Sequence, residues 1–256
     1  MRWLIAGCWL LACQVAPPIA DTRSIAKPVV AADLERGSTE KRLTVLAEII
    51  AIDPQARTPS LLAGVHREAI RVLGEYKKSH VPGDDQGDIL GAYSAGLVRA
   101  LAESNNPAFI PTLIQYNGMV SYATSALARF GEAAVSPLLR VASGPRGDLS
   151  QRGGAASALV QMLRDHDLAP TAALSDRSRR QIETFAEGLL THNARLESDQ
   201  IGNLSDVALA TGRQDLRAEV ERLATNRDAW IMHGVTESFS IDFGQRILRS
   251  RLKNEP

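Results

Sequence analysis

Ala126-Leu127-Ala128-Arg129-Phe130-Gly131-Glu132-Ala133-Ala134-Val135-Ser136-Pro137-Leu138-Leu139 is the stretch that decides how this chain folds. Val120, Ala123, Leu127 and Phe130 recur at helical spacing and form one apolar stripe. Gly131 follows at the point where a left-handed cap needs no side chain. A second stripe, Val135, Leu138, Leu139 and Ala142, begins at once. The stretch therefore reads as helix, glycine turn, helix, and so short a turn makes the two helices antiparallel neighbours.

The same pattern stands upstream. Leu101 to Leu113 reads Leu-Ala-Glu-Ser-Asn-Asn-Pro-Ala-Phe-Ile-Pro-Thr-Leu, and a shift of 26 superposes Leu101 on Leu127, Ala102 on Ala128, Ala108 on Ala134, Pro111 on Pro137 and Leu113 on Leu139. Ala155-Ala156-Ser157-Ala158-Leu159, 32 residues beyond Ala123 to Leu127, suggests a further copy. Ala69-Ile70-Arg71-Val72-Leu73-Gly74 suggests an earlier one, equivalent to Ala126 to Gly131.

In these residues the chain resembles the HEAT-repeat family, in particular the short bacterial HEAT-like repeats of the phycobilin-lyase type. The shared motif is an alanine-rich helix, Ala-Leu-x-x-hydrophobic-Gly, then Ala-hydrophobic-x-Pro-Leu-Leu. The likeness is good from Pro107 to Leu163, faint from Leu61 to Glu103, and only a matter of periodicity after Ala169. The spacings are shorter than the ~40–47 residues of longer HEAT units. The resemblance implies an all-α fold of antiparallel helix pairs stacked as a right-handed α-α superhelix, a HEAT-like solenoid used as a binding surface. It supplies no catalytic residues, and nothing in this chain supports carrying over tetrapyrrole attachment.

Outside the repeats the apolar spacing stays helical. Leu43, Leu46, Ile49 and Ile50 form a stripe, as do Leu62, Val65, Ala69, Val72, Leu73 and Tyr76. Downstream come Ile182, Phe185, Leu189 and Leu190, then Leu204, Val207 and Leu209, then Leu216, Val220 and Leu223. Thr58-Pro59 and Asn106-Pro107 each set a capping oxygen before a proline at the first helical position. Gly74, Gly118, Gly131, Gly144 and Gly212 follow stripes and are expected to close helices. The one departure is Thr236 to Phe243, where Phe239, Ile241 and Phe243 alternate with polar residues, as in a short strand or an irregular C-terminal closure. The expected organisation is a helical repeat domain over residues 39–235 and a C-terminal cap over 236–256.

The first twenty residues read differently. Arg2 precedes an apolar run from Trp3 to Ala12, and Pro17-Pro18 ends any helical continuation. A short basic start, about ten apolar residues and small residues after them are the marks of a secretory signal, and the run is too short to span a bilayer. Leu10-Leu11-Ala12-Cys13 resembles a lipobox, with a signal ending at Ala12 and lipid on Cys13; cleavage after Ala20 is the alternative. Asp21 to Ser38 is polar and lacks periodicity, and is expected to be a linker or tether. The expected place is the periplasm or cell envelope, either free or lipid-anchored through Cys13.

Composition narrows the chemistry. The chain has 256 residues, 29 Lys+Arg against 29 Asp+Glu, and 5% aromatics. Zero net charge removes the generic attraction to phosphate, so no nucleic-acid partner is expected. Both cysteines, Cys8 and Cys13, lie in the first twenty residues. The histidines have no metal-ligand spacing, and no Gly-x-Ser-x-Gly, Gly-x-Gly-x-x-Gly or P-loop motif occurs. Asp84-Asp85-Gln86-Gly87-Asp88 lacks the closing glutamate of an EF-hand and reads as a helix-capping loop. No catalytic, cofactor or metal residue is assigned, and no cofactor is expected.

Four residues remain as candidates for a partner or ligand surface: Arg152, Asp165, His166 and Trp230. Trp230, the one tryptophan outside the signal, reads either as a partner anchor or as a capping core residue. The function expected is a non-enzymatic, exported helical-repeat scaffold binding another protein. The alternative is an exported enzyme or small-ligand-binding domain with a pocket near Asp165 and His166.

Overall fold

The computed structural model of the chain describes residues 31–79, 85–144, 149–164, 174–191 and 194–254. Among them there is no strand, and the α-helices are α1 (Thr39–Ala51), α2 (Pro59–Ser79), α3 (Asp85–Glu103), α4 (Ile110–Tyr116), α5 (Ser121–Arg129), α6 (Glu132–Ser143), α7 (Leu149–Arg164), α8 (Asp176–Thr191), α9 (Ser198–Ala210), α10 (Gln214–Thr225), α11 (Arg227–Met232) and α12 (Ser238–Asn254). The protein is all-helical, with its helices packed on one another.

The packing follows chain order. α1, α3, α5, α7 and α9 pack in succession, with α12 after α9; α2, α4, α6, α8 and α10 do the same. Cross-contacts join α2 to α3, α4 to α5, α6 to α7, α8 to α9 and α10 to α12. The shift of 26 read from the sequence carries the end of α3 onto the end of α5, and α4 onto α6. The superposed helices pack on one another, α3 on α5 and α4 on α6, but the expected close pairing of α5 with α6 is not found: α6 packs chiefly on α7. Leu101 and Leu127 are fully buried at equivalent places, as is Leu113, while Leu139 is nearly so. The segment Ala155–Leu159 lies in α7, packed against α5, as its likeness to Ala123–Leu127 requires. The proposed earlier copy does not fit: Ala69–Gly74 lies inside α2, in the other succession of helices from α5.

One apolar cluster runs through the protein from Leu34 to Leu248. Alanine and glycine allow its close contacts. α7 buries Gly154, Ala155, Ala156 and Ala158 on its inner side, and a Cβ on Gly154 would fall 2.4 Å from Asn117 Oδ1. The caps largely agree with the sequence. Thr58 Oγ1 accepts from Leu61 N–H at 3.3 Å, and Asn106 Oδ1 accepts from Ala108 N–H at 3.0 Å. Gly118 turns the chain with φ +89°, and Gly131 with φ +53°. Gly74 and Gly144 depart from expectation: the former is inside α2, and the latter is extended at φ −62°, ψ 126°.

Two larger readings need correction. Residues 31–38 belong to the fold: Ala31–Asp33 forms a 3-10 turn packed on α2, and Leu34 is wholly buried. The apolar residues of the run from Asp21 to Ser38, Val29, Val30 and Leu34 among them, fall into no sustained periodicity, so the sequence does not announce the docking. The alternation at Phe239, Ile241 and Phe243 is no strand, because these residues lie in the helix α12. Its inner face uses Ile241 and Leu248, seven residues apart, with Leu252 packed beside them.

Candidate functional site

α12 is held down at several points. Arg251 Nη1 donates to Gly202 O at 2.9 Å and meets Asp206 Oδ1 at 2.9 Å, fastening the helix to α9. Gln245 Nε2 donates to Leu223 O at 3.3 Å, the carbonyl that also accepts from Trp230 Nε1 at 2.7 Å. Near its start, Arg227 reaches both Asp242 Oδ1 (3.2 Å) and Ser238 Oγ (2.6 Å). With one face so fixed, the opposite face turns outward. There Phe239 is 80% exposed and Phe243 52% exposed, their rings stacked at a centroid distance of 6.1 Å and an interplanar angle of 9°.

These rings border a cavity of about 300 Å³ whose apolar walls are Trp230, Phe239, Phe243 and Ile247. Asp199 and Arg251 are its charged members. A wider cleft of about 690 Å³ shares Ser198 and Ser240 with it and is lined further by Arg195, Glu197, Gln200 and Glu237. Exposed Ile231 and Met232 on α11 add apolar surface next to Trp230 in the chain. Exposed large apolar side chains gathered at one end of a protein mark a contact surface.

The candidates from the sequence fall in different places. Trp230 is fully buried, so its ring is a core element that also floors the cavity, not a protruding anchor. Arg152 is likewise interior, with its side chain 3% exposed. Its guanidinium pairs with Glu197 and with Asp199 (3.1 Å), and donates to Gly144 O at 3.3 Å. It is thus a clamp between α7 and the start of α9, where Glu197 and Gln200 form a capping box. As a partner-contacting residue Arg152 is corrected: its charge is already used within the protein. Asp165, His166 and Cys13 lie outside the described residues.

A second polar cluster was missed in the sequence. Glu68, with its side chain wholly buried, accepts from Arg71 Nε (2.7 Å) and Nη2 (2.6 Å) and from Tyr93 O–H (3.0 Å). Arg42 Nη1 stands 3.7 Å away. Burial, reinforced by the Glu68 carboxylate, pushes the Tyr93 phenol well above its ordinary range, so it acts as a donor. The neighbouring Tyr116 hydroxyl donates to Ala69 O at 2.6 Å. Every strong contact of Glu68 is internal, and the cluster joins α1, α2 and α3 rather than presenting a reactive group. His66, on α2, stands with Nε2 2.6 Å from Thr112 Oγ1 and its ring 4.9 Å from that of Phe109; burial holds its pKa below the usual value.

In the clefts beside α12, the serine–carboxylate contact is Ser240 Oγ to Glu237 Oε2 at 3.1 Å, an exposed pair three residues apart at a helix start. It joins two side chains at the first turn of α12. Among the described residues no group of three or more His, Cys, Asp or Glu is placed to hold a metal ion, and no helix is long and apolar enough to cross a membrane. No protein-family model matches the chain, and no significant match was found to a curated protein or to a solved structure.

Proposed function

We propose that the protein is a non-enzymatic, exported helical-repeat module that docks another polypeptide on the outward face of α12. The observation that carries this reading is the exposed Phe239–Phe243 pair beside an apolar cavity, on a helix otherwise firmly fixed. Apolar rings left in water at a rigid site become favourable once a partner covers them, at ~25 cal/mol per Å² buried. Rigidity lowers the ordering cost of binding.

The HEAT-like solenoid is part of the same proposal. Two successions of helices, each packed on the next but one, support it, as does the packing of α3 on α5 and of α4 on α6, the helices that the 26-residue shift superposes. Stacked repeats end in polar caps when nothing covers them; α12 sets two exposed phenylalanines among its outward charges, which supports a covered end. Export rests on the Arg2 to Ala20 segment. Mass spectrometry of the mature N-terminus checks it: lipidated Cys13 or free Asp21 supports the reading, and retained Met1 removes it.

The docking reading is tested by placing a photoreactive phenylalanine analogue at position 239 in cells. An adduct of one defined added mass is the expected result. Absence of any protein adduct overturns the reading.

A further inference from the structure

We infer that Asn117 is a modification site gated by the fold: its side-chain amide is kept in the native protein and lost, without return, when the turn between α4 and α5 opens. Asn117-Gly118 is the one Asn-Gly step in the chain. Asparagine is among the thermolabile residues, and a following glycine, which has no Cβ, leaves its own nitrogen unshielded. The Gly118 backbone nitrogen attacks Cγ of Asn117. The new N–Cγ bond closes a five-membered succinimide, the Cγ–Nδ2 bond breaks, and ammonia leaves with the proton of the attacking nitrogen. Water then opens the ring at either carbonyl, leaving aspartate or isoaspartate at position 117. No oxidant or reductant takes part.

The native structure blocks the first step. Asn117 is wholly buried, whereas Gly118 lies at the surface of the turn. Thr124 Oγ1, on α5, donates to Asn117 Oδ1 at 2.7 Å. The amide also rests on Gly154 of α7, where a Cβ would stand 2.6 Å from Asn117 Cγ. To close on the Gly118 nitrogen it must turn back onto its own backbone, giving up Thr124 and its seat on Gly154. Nor is Gly118 free to shift: its φ is +89°, and a Cβ on it would stand 2.2 Å from the backbone oxygen of Ser150. Opening the turn away from α7 releases all of these contacts together. Either product then opposes reclosing. Aspartate puts a charge into a wholly buried place where Thr124 is the one described hydrogen-bond partner of the side chain, and a buried unpaired charge is costly. Isoaspartate adds a carbon to the main chain at a turn whose conformation is fixed by its close approach to Ser150. A chain that opens briefly recovers, and one that stays open long enough to react does not.

The full chain, held in mildly alkaline buffer with and without denaturing urea, tests this when the peptide containing residue 117 is followed by mass spectrometry for conversion of amide to acid. Conversion in the folded protein is expected to be slower than in urea by about a hundredfold or more, the scale set by local opening of a fold. Thr124→Val keeps the side-chain volume and removes one hydrogen bond, so it should speed native conversion by about tenfold while helical circular dichroism is unchanged. After urea is removed, unconverted chains should regain the native melting transition and converted chains should not. Equal rates in buffer and in urea overturn the gate, as does undiminished protection in folded Thr124→Val. A second measurement needs no variant: in urea below the unfolding transition the rate should climb with urea concentration. A rate flat across that range shows conversion without opening and overturns the gate. Converted chains that melt as the unconverted protein does overturn the claim that the loss has no return.

Discussion

Trp230 occupies the space that a side chain at position 244 would need: a Cβ on Gly244 would lie 2.1 Å from the ring atom Cη2 of Trp230. The indole is wholly buried and its N–H is engaged by Leu223 O at 2.7 Å, so moving the ring aside costs that hydrogen bond. Gly244→Ala is therefore expected to destabilise by ~1–3 kcal/mol through overpacking. Gly153→Ala, where the nearest neighbour of a Cβ is 3.8 Å away, is the control: it should be neutral or stabilising by up to ~1 kcal/mol. Denaturant midpoints of the two variants check the contrast.

Gly118 gives a second steric prediction on different grounds. Its φ of +89° is strained for any side chain, and a Cβ would stand 2.2 Å from the backbone oxygen of Ser150 on α7. Backbone cannot swing aside as a long side chain can. Gly118→Ala should cost ~2–5 kcal/mol, adding left-handed strain to overpacking. The loss should appear as a lowered unfolding midpoint.

Glu68 should be the most sensitive charged residue. Removing it with Glu68→Ala strips Arg71 and Tyr93 of their shared acceptor inside the core, a loss of ~3–5 kcal/mol for a broken buried pair. Glu68→Gln keeps the volume and one acceptor oxygen and should cost less. Equal losses in the two variants, measured by equilibrium unfolding, would mean that packing rather than the carboxylate holds α1, α2 and α3 together here.

Burial places the pKa of His66 below its ordinary 6.5. The unfolded chain then binds a proton at a pH where the folded chain does not. The contribution is intact above pH 6.5 and is lost as pH falls from there through the folded value. Melting temperature should therefore decline from pH 7.5 toward pH 5, and His66→Gln should flatten that decline. An unchanged pH profile in the variant would assign the acid sensitivity to other groups.

The repeat could be read in advance because it is local: Leu127, Gly131 and Leu139 state a helix, a turn and a helix within thirteen residues. What escaped was long-range or misleading in period. Arg152 meets Glu197 across 45 positions, and Tyr93 meets Glu68 across 25, with no local pattern to announce either pair. In α12 the alternation of Phe239, Ile241 and Phe243 masked a helix whose better signal was Ile241, Leu248 and Leu252 on one side and Phe239 with Phe243 on the other. Trp230 was legible as a core residue; its dependence on the missing side chain of Gly244 was not.

Among the described residues, every substantial packing joins helices no more than three places apart along the chain. Few long loops must then be closed before favourable contacts form, and topologies of that kind fold quickly for their size. The chain can begin to fold at any well-formed helix pair and extend from it in both directions, including while it is still emerging from the machinery that makes it.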